Sequence, residues 1–176
     1  MNANELVLIA ASTTTKALEL GTRRWGTQST HHRDLFPADC DFTMTDYLEG
    51  DDVDVVSDAH NFKEFPDDTF NGVYSASTFE HIQHPWVAAA ALYRIIKPGG
   101  WLYVATHQTF PVHGYPYDYT RWTDAGLQSL FEWVGFNVIG AEMTDGCVIT
   151  PPKNITVWDT NAPAYLGVSV FCRKPK

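Results

Sequence analysis

Acidic, hydroxyl and imidazole side chains recur in this sequence just beyond short apolar runs, where a ligand can reach them. Asp46 follows DFTMT, Asp58 follows VDVVS, Ser75 and Ser77 close NGVYSAS, Glu80 and His81 come soon after, and His107 follows WLYVAT. A carboxylate in such a place accepts hydrogen bonds from hydroxyl and amino groups, and a histidine takes up a proton near neutral pH. His113 stands further on, in HQTFPVHGYPYDYTRWT, among Tyr115, Tyr117, Asp118, Tyr119 and Arg121. That stretch has no clean periodicity and too many aromatic residues for a disordered linker. It reads as a structured loop able to hold a polar ring or a sugar.

The runs that must position these groups are short and rich in β-branched and aromatic residues. Residues 53–57, 72–76 and 102–105 have the length of buried strands. Between the last two, the pattern predicts a helix over 86–97 with Val87, Ala90, Ala91, Leu92 and Ile95 as its apolar stripe, stopped by Pro98-Gly99-Gly100. Strand, helix, strand in this order implies a right-handed crossover and a doubly wound, mostly parallel α/β sheet with helices on both faces. Ligands bind such sheets at the carboxyl ends of the strands.

Upstream, KALEL (16–20), ended by Gly21, reads as the first strand and 42–45 as the second. Residues 5–12 suit a strand or a helix, and a short helical piece is expected over 30–35, before Pro37. Only EGDD separates Tyr47-Leu48 from the third strand, so the usual crossover helix is missing or vestigial there. Downstream, Thr123 caps a helix whose Leu127, Leu130, Phe131 and Val134 share one face, and Gly135 stops it. Residues 137–143 and 166–172 are the final strands, antiparallel because the Pro-rich excursion between them contains no obvious helix. The expected organisation is one domain over 1–176, with a core at 16–140 and the last strands and excursion at 141–176.

At 176 residues the chain can bury a real core, and no apolar run approaches a membrane span. The apolar start lacks a basic leader, and Cys40, Cys147 and Cys172 are odd in number and widely spaced. Both features fit buried thiols in a reducing cytoplasm. A formal charge of −9 offers little surface for a polyanion, so no nucleic acid and no membrane partner is expected. Arg23, Arg24, His31, His32 and Arg33 are the one local basic group, and Arg33 reads as an ordinary surface charge.

Taken together, DAHNFKEFPDDTFNGVYSAS, FEHI and LYRIIKPGGWLYVAT, in this order and spacing, resemble the class I S-adenosylmethionine-dependent methyltransferases, specifically the small-molecule type called methyltransferase type 11. The resemblance covers roughly residues 16–140 and implies a compact Rossmann-like fold with S-adenosyl-L-methionine as cofactor. It implies that Asp46 accepts the two ribose hydroxyls, that Tyr47 lies on the adenine face, and that Asp58, Ala59 and His60, with Ser75 close by, mark the adenine end. The family's usual E/D-x-G-x-G-x-G loop is here ELGTRRWGT: Glu19 and Gly21 match, but Arg23 replaces the next glycine. Thr22 and the loop amides are then expected to meet the methionine carboxylate, with Arg23 or Arg24 paired to it.

Some quinone O-methyltransferases carry E-x-x-E-H where this chain has Ser77, Glu80 and His81 and hold a divalent ion with it. With Ser77 in the first glutamate's place, and His84 able to substitute only on a helix, no metal is expected here. Methyl transfer is governed by positioning, and an alcohol or phenol acceptor gains from a base near neutral pKa, so His107 and His113 are the candidate catalytic residues. The expected reaction is O-methylation of a small-molecule or saccharide acceptor. The altered loop leaves open a non-catalytic domain that binds S-adenosylmethionine or a nucleotide. The fold alone leaves open a nicotinamide-dependent oxidoreductase, though no full G-x-G-x-x-G is present.

Overall fold

The computed structural model describes residues 1–24, 26–27, 31–114, 117–154 and 163–176. Seven strands form one sheet: β1 (Lys16–Leu20), β2 (Asp41–Asp46), β3 (Val55–Val56), β4 (Phe70–Ala76), β5 (Ile96–His107), β6 (Asn137–Cys147) and β7 (Ala164–Arg173). Their order is β3-β2-β1-β4-β5-β7-β6. The first five run parallel, and β7 joins β5 and β6 antiparallel, as expected for the final pair. Sheet order reverses between β1 and β4, and the carboxyl ends of these two strands flank a crevice.

Side-chain alternation sorts the core into two layers. Ala17, Tyr74, Trp101, Tyr103 and Phe171 face helix α1 (Ala3–Ala11) and the segment carrying Phe36 and Cys40. Leu18, Leu20, Val73, Leu102, Val104 and Val170 face α2 (Pro85–Ile95) and α3 (Asp124–Trp133). The ambiguous N-terminal stretch is thus helical. A reciprocal cap decides it: the Asn2 side chain accepts the Glu5 N–H, and the Glu5 carboxylate accepts the Asn2 N–H. Thr123 caps α3 as expected, accepting the Gly126 N–H at 3.1 Å.

Helix α2 ends two residues earlier than the sequence suggests, because Ile96 is already extended and pairs with Phe70. Its buried residues are Pro85, Ala88, Ala89, Ala91, Leu92 and Ile95, so Ala91, Leu92 and Ile95 are buried as expected, while Val87 and Ala90 face solvent. Gly72 is required by close approach, since a Cβ there would lie 2.2 Å from the Trp101 ring. The third strand shrinks to two residues, and among the described residues no α-helix lies between β1 and β4. In place of the first crossover helix there is a single turn at Arg33–Leu35. Arg33 is more than a surface charge: its guanidinium donates to the carbonyls of Pro37 and Ala38, both at 2.9 Å, and stacks on Phe42. No helix among the described residues is long and apolar enough to cross a membrane.

Candidate functional site

The loops after β1, β2, β3 and β4 surround a cavity of about 960 Å³ at the carboxyl edge of the sheet. Asp46 closes β2 and points both oxygens to backbone: Oδ2 accepts the Arg23 N–H at 3.2 Å and Oδ1 the Leu48 N–H at 3.1 Å. Oδ1 also faces Nε of Arg23 at 3.9 Å, and the side chain lines the cavity. Tyr47 beside it is 61% exposed and lines the same wall, as an aromatic face for a planar ring must. Asp58 follows β3, and its Oδ1 accepts from the His60 backbone at 2.9 Å and from His60 Nδ1 at 2.6 Å. Burial opposes its charge, but the two His60 bonds outweigh that and hold the carboxyl below its ordinary value. Ala59 and His60 also line the cavity.

The loop after β1 differs from expectation. Gly21 has a left-handed backbone with φ of 87°, and a Cβ there would sit 1.9 Å from Thr78 Oγ1. This glycine therefore serves the approach of the β4 loop to β1 as well as the cavity. Glu19 is buried and engaged by His32, which brings its backbone N–H to 2.8 Å and Nδ1 to 2.7 Å of the two carboxylate oxygens. Thr22 is fully buried, with its hydroxyl donated to the Asp52 carbonyl at 2.6 Å. Ser75 is fully buried within β4. None of these three lines the cavity. Arg24 is clamped on Asp52 through Nε at 2.9 Å and Nη2 at 2.8 Å, whereas Arg23 does line the wall, its stem lying along Gly50. His31 and His32 line it too. The sequence registered them only as part of a basic group.

The cavity is also lined by His81, His113, Tyr117 and Tyr119, and by His84, whose N–H meets Nε2 of His60 at 3.2 Å beside Asp58. Asp118 and Arg121 do not reach it. They form an ion pair that holds the loop, with Arg121 also donating to the carbonyls of Thr120, Phe110 and Pro111. That pairing with Arg121 holds the Asp118 carboxyl well below the usual carboxylate range. Asp118 in turn accepts the His113 backbone N–H at 3.0 Å, which steadies the loop at His113. Tyr115 lies outside the described residues. His107 stacks on Phe110, with ring centres 4.3 Å apart, and is not part of the cavity wall.

Behind His81 and His113 stands Glu80, fully buried. Its Oε2 accepts the Thr106 hydroxyl at 2.7 Å, while Oε1 faces Nε2 of His107 at 3.1 Å, of His81 at 3.7 Å and of His113 at 3.9 Å. Burial opposes ionisation of Glu80, yet the His107 ring and the Thr106 hydroxyl hold its carboxyl below the ordinary value. The loop is tied to this point, since the Glu80 carbonyl accepts the Tyr119 N–H at 2.7 Å.

The size and lining of the cavity suit a nucleoside joined to an amino-acid tail at the Asp46 side and a second, smaller molecule at the histidine side. Asp58→Asn tests the first half: affinity for S-adenosylhomocysteine in calorimetry falls by about 0.5–1.5 kcal/mol, as for one neutral hydrogen bond. Undiminished affinity, with adenine found elsewhere in a complex structure, removes Asp58 from the site.

Residues 21–104 match the family model described as methyltransferase domain. No curated protein sequence matches the chain. Among solved structures, the fold resembles a putative methyltransferase from Bacillus halodurans, at 16% identity and TM-score 0.67 over 98% of each chain. It also resembles a SAM dependent methyltransferase from Archaeoglobus fulgidus, at 15% identity and TM-score 0.65 over 98% of this chain and 95% of that one. A third is 1,6-didemethyltoxoflavin-N1-methyltransferase of Burkholderia thailandensis, crystallised with 1,6-didemethyltoxoflavin and S-adenosylhomocysteine. Its identity is 13% and its TM-score 0.65, over 98% of this chain and 77% of that one. The resemblance to class I S-adenosylmethionine-dependent methyltransferases is thus borne out, in the domain match and in the Rossmann-like fold. The domain match ends inside β5, before His107 and His113.

Proposed function

We propose that this methyltransferase uses S-adenosyl-L-methionine to methylate an oxygen of a small polar acceptor, with a saccharide or a phenol as the class to try first. One observation carries the reading: a single cavity is lined by two strand-end carboxylates, Asp46 and Asp58, together with His81, His113 and two tyrosines. When bound, the cofactor supplies a methyl group on a sulfonium, already a good leaving group. Asp46 receives the ribose hydroxyls and Asp58 the adenine amino group, with Tyr47 against the ring. Arg23, in place of a family glycine, faces the carboxylate of the methionine tail.

On the acceptor side, Tyr117 and Tyr119 give flat contact area, and the loop stapled by Arg121 limits water. His113 lines the cavity with its Nδ1–H held by the Pro111 carbonyl at 3.0 Å and by Asp118 at 3.2 Å. That tautomer leaves the Nε2 lone pair for the hydroxyl proton. His107, turned toward Glu80 and Phe110, acts one layer behind. An oxygen rather than a nitrogen is favoured because a neutral amine needs no such base. The reading takes the whole chain as one catalytic domain in a reducing cytoplasm, which three free cysteines suit.

Parallel calorimetric titration with S-adenosylmethionine, S-adenosylhomocysteine and NAD tests the donor assignment. Binding of the first two and none of the third is the expected result. Binding of NAD alone, or of none, overturns it.

A further inference from the structure

We propose that Glu80, His81 and His113 form a binding site for a divalent transition cation of the zinc type, with its open coordination position toward the acceptor. Among the described residues these three offer ligand atoms that all lie within 4.8 Å of one another. They come from two loops brought together at the sheet edge: Glu80 and His81 from the turn after β4, and His113 from the aromatic loop after β5.

Hydrogen-bond direction makes the case. His81 Nδ1 lies 2.7 Å from the Tyr117 carbonyl, which can only accept, so the proton sits on Nδ1 and Nε2 bears a lone pair. His113 Nδ1 lies 3.0 Å from the Pro111 carbonyl, with the same consequence. Both lone pairs face Glu80 Oε1, at 3.7 and 3.9 Å. That oxygen belongs to a fully buried side chain and has no aligned hydrogen-bond partner; His107 Nε2 is near, at 3.1 Å, but off the line of a bond. Two lone pairs and an anionic oxygen converging without a donor between them repel one another. A cation at their centre turns that repulsion into three bonds.

The separations suit it. Ligands about 2.0–2.2 Å from a tetrahedral zinc ion lie roughly 3.3–3.6 Å apart. The two Glu80–histidine separations of 3.7 and 3.9 Å therefore close with a few tenths of an ångström, and the whole set, within 4.8 Å, with a contraction of about an ångström at most. Two imidazoles and one carboxylate are a zinc donor set that leaves a fourth position open, and the carbonyls behind His81 and His113 are the outer partners such ligands require.

The absence of a metal expected from the sequence rested on Ser77 and on the need for a helix before His84 could substitute. His84 instead meets His60, and the third ligand arrives from the aromatic loop. The role of the cation rests on the methyl-transfer reading above. An acceptor hydroxyl takes the open position, its proton leaves to water, and the oxygen is held as the anion with no change in the metal's oxidation state. His113 is then a ligand rather than the proton acceptor.

The test uses the full chain, stripped with a chelator and titrated with Zn²⁺ by calorimetry and with Co²⁺ by visible absorption. One cation per chain is expected, with the intense bands of four-coordinate cobalt, bleached by zinc. His81→Gln and His113→Gln, each confirmed folded by its thermal transition, should each lose about tenfold or more in cation affinity. Failure to take up either cation, or uptake unchanged in both variants, overturns the site. S-adenosylhomocysteine titration of the same sample separates the two readings. Cation uptake without cofactor binding leaves the metal site standing and removes the methyl-transfer role.

Discussion

His113→Gln lowers turnover by about 10²–10⁴ while leaving S-adenosylhomocysteine affinity nearly unchanged. The magnitude is that of a lost proton acceptor; a lost ligand to an acidifying cation gives a fall of the same kind. Glutamine retains a polar end but has no basicity near neutral pH and is a poor ligand for zinc. Specificity of the effect follows from placement. His113 lines the cavity and is held by Asp118 and the Pro111 carbonyl, and neither contact involves Asp46 or Asp58. Steady-state kinetics with a found acceptor, beside calorimetry with the cofactor product, reads both quantities. Normal turnover in a folded variant places the proton acceptor elsewhere. Lost cofactor binding moves His113 to the donor side.

Asp46→Ala weakens S-adenosylhomocysteine binding by about 1.5–3 kcal/mol, the range for a hydrogen bond to a charged group. The carboxylate ends β2 with both oxygens already steadied by the amides of Arg23 and Leu48, so it meets a diol without searching for its rotamer. Removing it also frees those two amides, and a thermal transition on each variant separates loss of fold from loss of affinity. Asp46→Asn, which keeps one acceptor oxygen, should fall between wild type and alanine. Equal affinity in a folded alanine variant excludes the ribose role.

The sheet was legible because its strands carry period and length in the residues themselves. Residues 72–76 and 102–105 read as buried strands, and KALEL reads as one despite its helix formers because Gly21 cuts it short. The N-terminal helix was ambiguous because an Ala-rich run packs equally well as either element; only the Asn2–Glu5 cap settles it. At the site, Asp46 and Asp58 were legible as strand-end carboxylates. Glu19, Thr22 and Ser75 stand equally near strand ends, but their partners, His32 and Asp52 among them, lie too far along the chain to be foreseen. Asp118 and Arg121 looked like substrate contacts because a charge that holds a loop and a charge that holds a ligand have the same composition. The Glu80–His113 approach joins two segments without periodicity, and no local pattern announces it.

Among the described residues between β1 and β4 no α-helix covers the sheet, which has an energetic corollary. The half of the sheet bearing Asp46 and Asp58 ends in a two-residue strand and is fastened by side-chain clamps: Arg33 on carbonyls, Arg24 on Asp52, Asp54 on the Met44 amide. The other half has long paired strands and two packed helices. Cooperativity is then unevenly shared, and partial unfolding is expected to concentrate in the half that carries the proposed donor site. A ligand that grips both halves raises the free energy of that opening by RT ln(1 + [L]/Kd), about 2.7 kcal/mol at a hundredfold excess over Kd. The donor would thus act as a missing structural member, its concentration setting how much of the population is fully closed.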